Sequence, residues 1–199
     1  ARAAESIGAR VIHISTDFVF SGDQEKPYKP DDKNQPINVY GQSKLAGEKS
    51  LLENCSRALI IRTSWLYSSF GRNFVKTMLN LMSNKSELQV VSDQYGSPTF
   101  AGGLARCIWA AVEKPDLNGC FHWSDAGVTT WFDFARAIQE IAYDEVILDR
   151  KISIKSIPSR EYKTPARRPG YSVLDTSDLS NALGEKPAPW RDNLVKMLL

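Results

Sequence analysis

The stretch Val-Ile-His-Ile-Ser-Thr-Asp, residues 11–17, is a short apolar run rich in β-branched residues that ends in two hydroxyls and a carboxylate. Residues 11–15 therefore predict a buried strand. In a parallel sheet, ligands bind beyond the carboxyl ends of the strands, so Thr16 and Asp17 would lie where a ligand binds. The alternative is that these two residues only open a turn, and the stretch taken alone favours that alternative.

Strands and helices alternate outward from this stretch. The pattern predicts helices over residues 1–6, 39–54, 74–82, 104–112, 131–142, 177–183 and 191–199, and further strands over residues 58–62, 88–91, 120–123 and 152–157. The polar stretch containing Pro27, Pro30 and Pro36 is predicted to be a loop. This alternation favours an α/β chain with a mostly parallel sheet.

Composition narrows the class of protein. The chain has 199 residues and a formal net charge of +2, which gives no reason to expect a nucleic-acid partner. No apolar run of about 18 residues suggests a membrane span, and we expect no signal peptide. Cys55, Cys107 and Cys120 are widely spaced and odd in number, which argues against a disulfide framework or zinc site and favours the cytoplasm. We expect His13 and His122 in strands, not at a metal.

Tyr40 and Lys44 lie four positions apart at the start of the predicted helix 39–54. Residues with this spacing share one helix face, one turn apart. A phenol is a weak acid near neutral pH, and a nearby ammonium makes it a stronger one. Such a phenol can donate its proton to a carbonyl oxygen while hydride reaches the carbon. The pair alone is weak evidence, but its position after a strand and a hydroxyl is a rarer combination.

This combination resembles the short-chain dehydrogenases/reductases, which use Ser or Thr, Tyr and Lys at the end of a Rossmann-type sheet together with NAD(P)H. The extended, sugar-nucleotide branch is the most similar. Its strand ends in S-[ST]-x-x-V-[FY]-x-G, present here as residues 15–22, and its helix carries Y-[GA]-x-[ST]-K-x-x-x-E, present as residues 40–48.

Five motifs in order resemble one family of that branch, the dTDP-4-dehydrorhamnose reductases. They are S-T-D-Y-V-F-x-G at residues 15–22, N-x-Y-G-x-[ST]-K-L-x-G-E at 38–48, R-T-[SA]-W-[LV]-Y at 62–67, D-Q-x-G-x-P-T at 93–99 and R-P-x-x-S-x-L-[DN]-T at 168–176. Phe18 departs from the first motif, which has Tyr there. The change removes one hydroxyl from the pocket and puts a substrate contact in doubt, while the catalytic residue types are intact.

The resemblance implies roles for individual residues. Tyr40 would donate the proton to the keto oxygen, Lys44 would strengthen this acid and hold the nicotinamide ribose, and Thr16 would bond the same oxygen. Asp17 would contact the sugar. The full set of implied substrate-binding residues is Thr16, Asp17, Trp65, Asn73, Gln94 and Arg168, with no metal ligand assigned.

Three of these assignments have structural alternatives. Trp65 would also suit an aromatic core position after a strand, although the pocket interpretation is favoured. Asn73 would equally suit the N-cap of a helix. Arg168 would bind a diphosphate through its guanidinium or form a structural ion pair. For Asn73 and Arg168 the sequence alone does not choose between these interpretations.

The resemblance also implies a domain organisation. Residues 1–92 would form the C-terminal portion of an NAD(P)-binding Rossmann domain with the catalytic Thr, Tyr and Lys. Residues 93–199 would form mainly a smaller α/β substrate-binding lobe, with some segments returning to the Rossmann core. The family's G-x-x-G-x-x-G phosphate loop is absent from the sequence, so we expect the N-terminal part of a typical member to lie outside it and cofactor binding by this chain alone to be weak.

The function implied is the NAD(P)H-dependent reduction of dTDP-4-dehydro-β-L-rhamnose to dTDP-β-L-rhamnose, which feeds bacterial surface polysaccharide. The cofactor would be NADPH or NADH and the partner a nucleotide sugar. Family members are often homodimeric, and some bind Mg²⁺ at the dimer contact. The alternatives are a related nucleotide-sugar epimerase or dehydratase, or a non-catalytic regulatory subunit. Dehydratases carry Glu where Phe18 stands, which favours reduction.

Overall fold

Three parallel strands form the central sheet of the computed structural model, which describes residues 1–199. They are β1 (Ile12–Thr16), β2 (Leu59–Thr63) and β7 (Gly119–His122), in the order β1-β2-β7. The register places Thr16 opposite Thr63 and Arg62 opposite His122. Parallel strands require crossover connections, and α2 (Val39–Asn54) and α4 (Ala101–Val112) lie within those two connections. The predicted Rossmann-like parallel sheet is therefore confirmed, as are the strand positions of His13 and His122.

A second group of elements surrounds the largest hydrophobic core cluster. It comprises α3 (Phe74–Asn84), β4 (Glu87–Val91), α5 (Trp131–Asp144), β9 (Ser153–Ile157) and α7 (Trp190–Leu198). Strands β4 and β9 pair in parallel, and α3 and α5 pack on each other and on β4. Phe134 and Ile138 of α5 are fully buried at the centre of the cluster.

The remaining elements are short. They are α1 (Arg2–Ser6), α6 (Ser177–Leu183), the parallel pair β3 (Leu66–Tyr67) and β6 (Thr99–Phe100), the antiparallel pair β5 (Tyr95–Gly96) and β8 (Thr129–Thr130), and single 3-10 turns at Asp17–Val19 and Ser159–Glu161. The two-residue strands were not predicted, because two residues show no periodicity. None of the helices combines the length and apolar composition that crossing a bilayer requires.

The predicted start of α4 at residue 104 is wrong, because the helix begins at Ala101. Asp125, a distant residue in sequence, accepts a hydrogen bond from the Phe100 amide at 3.0 Å through Oδ2 and so supports the first turn. Gly102 and Gly103, which resemble a helix-breaking pair in the sequence, lie inside this turn. A Cβ at Gly102 would come within 2.5 Å of the Phe100 ring.

Core packing crosses the predicted boundary at residue 92 in both directions. Helix α3 and strand β4 precede that boundary but pack with α5 in the second group. Conversely, Leu104 and Leu179 follow it but pack against Leu59 of the central sheet. The domain organisation, with its division at residue 92, stays a prediction.

A buried ion pair joins α2 to β2. The side chains of Arg62 and Glu48 are 4% and 3% exposed, and Arg62 donates through Nη2 to Glu48 Oε2 at 2.8 Å and through Nε to Oε1 at 3.0 Å. Other Arg62 N–H groups reach the Pro30 carbonyl at 3.1 Å and Asn34 Oδ1 at 3.3 Å. The guanidinium therefore fixes the helix and the loop that precedes it to the same strand.

His122 lies beside this pair as a neutral ring. Its Nδ1 is 3.0 Å from the Tyr28 carbonyl, and its Nε2 is 3.5 Å from Arg62 Nη1. A guanidinium only donates, so Nε2 is the acceptor and Nδ1 carries the proton. Burial, followed by the charge of Arg62, lowers the pKa of His122 to about 3. His122 therefore extends the hydrogen-bond network without adding a charge.

Replacing Glu48 with alanine is expected to lower the free energy of unfolding by about 3–5 kcal/mol, because the Arg62 charge would stay buried without its partner. Glu53→Ala, an exposed position on the same helix, is the control and is expected to change it by less than about 0.5 kcal/mol. Urea unfolding followed by circular dichroism measures both. Equal losses in the two variants would show that the buried pair does not stabilise the fold.

Candidate active site

The carboxyl end of β1 leads into a buried polar turn. Thr16 is 6% exposed and caps the 3-10 turn, with its Oγ1 accepting a hydrogen bond from the Phe18 amide at 3.2 Å. The same Oγ1 lies 3.0 Å from Oδ1 of Asp17, which is 2% exposed. A hydroxyl and a carboxyl are thus held together at the sheet edge where ligands of parallel sheets bind.

Helix α2 begins directly against this turn. Its N-cap, Asn38, accepts a hydrogen bond from the Gly41 amide at 2.8 Å. A Cβ at Gly41 would lie 2.1 Å from the Phe18 carbonyl oxygen, so glycine is what permits the close approach. As a result the Tyr40 ring meets the Phe18 ring edge-on, with centroids 5.7 Å apart. Tyr40 is 54% exposed and accessible to a ligand at this sheet edge.

Lys44 lies one helical turn after Tyr40 and reaches back to β1. Its Nζ donates to the Ile14 carbonyl at 2.9 Å and lies 3.4 Å from His13 Nε2. Burial and the Lys44 charge lower the pKa of His13, which keeps the ring neutral and able to accept from the ammonium. An ammonium has three N–H donors, so one is left for a ligand.

The Asp17 carboxyl is buried at this end of the sheet, and burial changes its acidity. Burial raises its pKa to about 6, while the neighbouring hydroxyls of Ser172 and Thr16 act in the opposite direction. Its Oδ2 is buried and has no hydrogen-bond partner. An acid with these surroundings holds a proton more readily than an exposed aspartate does.

A cavity of about 570 Å³ opens next to the end of the turn. It reaches from Gly22, just past the turn, to α3 and β4 of the second core group and to the segment 159–170. Its apolar wall includes Phe74 and Trp131, and its polar wall includes Gln94, Arg160, Tyr162, Arg167 and Arg168. A concave site with apolar walls and clustered cations suits a ligand with a ring system and phosphate groups.

Two stacked indoles connect the end of β2 to this cavity. The Trp65 and Trp131 rings lie 3.5 Å apart at an interplanar angle of 10°, and Trp131 lines the cavity. Trp65 has a φ of 45°, which is rare for a residue other than glycine. Gly96 lies under the Trp65 ring, since a Cβ there would be 2.5 Å from Cε2. Contacts of the Trp65 ring with Trp131 and Gly96 therefore hold a strained backbone.

Comparison with known proteins identifies the family. The family model of the RmlD substrate binding domain matches residues 1–199, which is the whole chain. The dTDP-4-dehydrorhamnose reductase of Escherichia coli K12 is 43% identical over 202 residues, which cover 100% of this chain and 68% of that protein. The chain belongs to the dTDP-4-dehydrorhamnose reductase family. A spore coat polysaccharide biosynthesis protein of Bacillus subtilis is 42% identical and matches 96% of this chain and 65% of its own length.

Solved structures of dTDP-4-dehydrorhamnose reductases have the same fold. The Bacillus anthracis enzyme, in complex with NADP, has a TM-score of 0.90 and 36% identity over 98% of this chain and 67% of its own. The Clostridium acetobutylicum enzyme has a TM-score of 0.91 and 35% identity, over 99% and 68%. A dTDP-glucose 4,6-dehydratase from Streptomyces venezuelae, at 15% identity and a TM-score of 0.77, shares the fold alone.

Against this family background, the predicted site residues fall into two groups. Thr16, Asp17, Tyr40 and Lys44 gather around the start of α2, as described above. Gln94 and Arg168 line the cavity, and Arg168 takes part in none of the ion pairs of the chain. Their roles stay predictions.

Trp65 and Asn73 do not line the cavity. Trp65 is not in the cavity lining and meets it through the stacked Trp131. Asn73 is the N-cap of α3, where Oδ1 accepts from the Lys76 amide at 3.1 Å and Nδ2 donates to the Ser68 carbonyl at 2.6 Å. Both polar groups of Asn73 are used within the chain, which favours the capping interpretation.

Sequence reasoning missed several groups that line or support the site. Arg160, Tyr162 and Arg167 belong to a segment whose basic residues stand out in a nearly neutral chain, so their clustering was an available signal. Trp131 had no local signal, because its stacking partner is distant in sequence. Asn38, whose Nδ2 donates to the Arg167 carbonyl at 2.9 Å, links the start of α2 to that basic segment.

The dTDP-4-dehydrorhamnose reductase resemblance also suggested magnesium. No group of three or more His, Cys, Asp or Glu side chains in the chain is arranged to hold a metal ion. The structure therefore gives no support to a magnesium site among these residues.

Replacing Gly96 with alanine is expected to lower the free energy of unfolding by about 1–3 kcal/mol, because the new methyl group would collide with the Trp65 indole. Gly47→Ala in α2, where a Cβ meets nothing within 4 Å, is the control and is expected to be neutral or stabilising by up to about 1 kcal/mol. Thermal unfolding followed by tryptophan fluorescence reports both stability and the indole environment. A Gly96→Ala protein that matches Gly47→Ala in stability and emission would refute the packing argument.

Proposed function

We propose that this chain carries the proton donor and the substrate pocket of an enzyme that reduces dTDP-4-dehydro-β-L-rhamnose to dTDP-β-L-rhamnose with NAD(P)H. The observation that carries the proposal is the approach of α2 to the turn after Thr16, which brings a phenol and an ammonium to the end of the strand that carries the hydroxyl. The arginine-lined cavity begins at Gly22, just past this turn. Membership in the family supports the choice of substrate.

The residues around α2 suit the reduction of a ketone. Tyr40 is exposed enough to donate its proton to the oxygen of a bound ketone, and Thr16 supplies a second hydroxyl at the same sheet edge. A bound NAD(P)H would supply the hydride. Lys44 keeps one N–H free for a ligand hydroxyl, which fits the ribose of such a cofactor. The NADP complex of the Bacillus anthracis relative supports NADPH, and NADH is the alternative.

The cavity suits the nucleotide part of the substrate. The guanidinium groups of Arg160, Arg167 and Arg168 would pair with the two phosphates, since guanidinium binds phosphate oxygens bidentately. Phe74 and Trp131 offer flat apolar surfaces on which a base or sugar ring would rest. Gln94 would hydrogen-bond a polar edge of the same ligand.

Phe18 favours reduction over dehydration. Its ring fills the space beside Tyr40, at the position where dehydratases carry the glutamate needed for elimination. A phenyl ring cannot remove a proton from carbon. The Tyr40 phenol is therefore the proposed acid at this point of the site.

The cysteines bear on the cellular compartment proposed for the enzyme. Cys55, Cys107 and Cys120 are all free, which supports the reducing environment of the cytoplasm. A homodimer follows only from the family resemblance and is part of the proposal on that basis.

Tyr40→Phe in the full-length protein is expected to reduce turnover by about two to four orders of magnitude, the usual loss for a positioned general acid. The assay follows oxidation of NADPH and NADH by absorbance with dTDP-4-dehydrorhamnose as substrate. Tyr143→Phe, an exposed tyrosine on α5, is the control and should leave turnover unchanged. Unchanged turnover in Tyr40→Phe would remove this residue from the mechanism, and an inactive wild-type protein that is folded would overturn the proposed function.

Arg168→Ala is expected to weaken the binding of dTDP about tenfold, the effect of losing a charge-assisted hydrogen bond. Lys163→Ala removes a cation from the same segment at a position that does not line the cavity, and it should leave affinity nearly unchanged. Calorimetric titration with dTDP gives both dissociation constants. Equal effects of the two substitutions would assign Arg168 only to the general charge of the segment.

A further inference from the structure

The Asp17 carboxyl is buried without any cation to balance a negative charge. It takes part in none of the ion pairs of the chain, and its Oδ2 has no hydrogen-bond partner. The groups that stabilise its charge are the hydroxyls of Ser172 and Thr16 and nearby backbone amides. Burying a carboxylate among neutral groups is unfavourable in free energy, and protonation removes the buried charge.

The ionisable groups of neighbouring elements do not bond to this carboxyl. On α2 these are Tyr40, which packs on Phe18, and Lys44, which bonds to β1. On the segment that brings Ser172 they are Arg167, Arg168 and Tyr171, none of which forms an ion pair or hydrogen bond with Asp17. Protonation of Asp17 therefore breaks no salt bridge.

Counting hydrogen bonds locates the proton in the neutral form. A proton on Oδ1 has an acceptor, the Thr16 Oγ1 at 3.0 Å, whereas a proton on Oδ2 has none. With the proton on Oδ1, the Thr16 oxygen accepts from both Asp17 and the Phe18 amide, and both of its lone pairs are used. The Thr16 O–H is then free to donate to a ligand.

The ionised form reverses this arrangement. A carboxylate only accepts, so the Thr16 O–H must then donate to Asp17 Oδ1. One lone pair of Thr16 is left for the ligand. A keto oxygen is itself only an acceptor, and it gains no hydrogen bond from a second acceptor.

We propose that Asp17 is a positioning residue whose protonated form turns the Thr16 hydroxyl toward the substrate keto oxygen. This inference rests on the proposed reduction. It explains why a buried acid lies beside Thr16, the residue proposed to bond the keto oxygen. Tyr40 remains the proton donor, and the Asp17 proton is not consumed. A raised pKa of about 6 places the change from donor to acceptor in an accessible range of pH.

The sign of the pH effect follows directly. The form with Asp17 protonated binds the ketone better, so kcat/KM is expected to fall as pH rises through the pKa of Asp17. We expect kcat/KM to fall about tenfold, because one hydrogen bond to the reacting oxygen is lost. Any limb of the pH profile that does not depend on Asp17 stays in place when Asp17 is replaced, which isolates its contribution.

Asp17→Asn in the full-length protein tests the proposal. By the same hydrogen-bond count its Nδ2 faces Thr16 Oγ1, so the variant imitates the protonated acid at every pH. We expect it to keep the kcat/KM of the wild type at low pH and to lack the limb assigned to Asp17. In a Thr16→Val background Asp17→Asn should have no further effect. An unaltered pH profile, or a hundredfold loss at all pH values, would overturn the proposal.

A second measurement does not depend on turnover. The infrared difference spectrum between the wild type and Asp17→Asn should contain the C=O stretch of a protonated carboxyl, which disappears as pH is raised. Absence of this band below pH 6 would overturn the assignment even in an active enzyme. A titrating band in a folded protein that does not reduce the substrate would support the assignment of the Asp17 proton and overturn the proposed function instead.

Discussion

The buried pair of Arg62 and Glu48 is the interaction on which the site depends. It ties the middle of α2 to the central strand β2, and through further Arg62 bonds it also holds the loop between β1 and α2. Two of the sequence motifs thereby become one structural unit, since the Tyr-Lys motif ends at Glu48 and the next motif begins at Arg62. A buried charge pair with good geometry is costly to separate, which makes the position of the helix well defined.

The N-terminal end of α2 is fixed by its close packing on the turn that follows β1, without an ion pair. Gly41 lets the first turn of the helix touch the Phe18 carbonyl, and Asn38 ties the same turn to the basic segment through Arg167. The ion pair holds the middle of α2 and these contacts hold its first turn, so the helix has little freedom to shift. The distances between Tyr40, Lys44 and the end of β1 are therefore set by the packing of the whole helix, as catalytic geometry requires.

The predictable part of this protein is the part encoded locally. The strand predicted at residues 11–15 is present at Ile12–Thr16, and the helix predicted at 39–54 has these bounds in the structure. Both predictions follow from apolar pattern and turn chemistry. What could not be predicted depends on partners distant in sequence. Asp125 supports the start of α4 through a hydrogen bond from the Phe100 amide, and the indole stack requires Trp65 to meet Trp131. The cavity likewise joins segments that no local pattern connects.

The two most buried acidic groups of the chain differ in whether a cation is paired with them, and this difference bears on the proposed chemistry. Glu48 is paired with a guanidinium, and the pair holds α2 against β2. Asp17 is equally buried but has only hydroxyls and amides around it. Pairing it with a cation would have locked it as a carboxylate and tied up the Thr16 proton. A carboxyl left without a counter-ion keeps its proton available, and a site that must donate hydrogen bonds to a ketone benefits from that property.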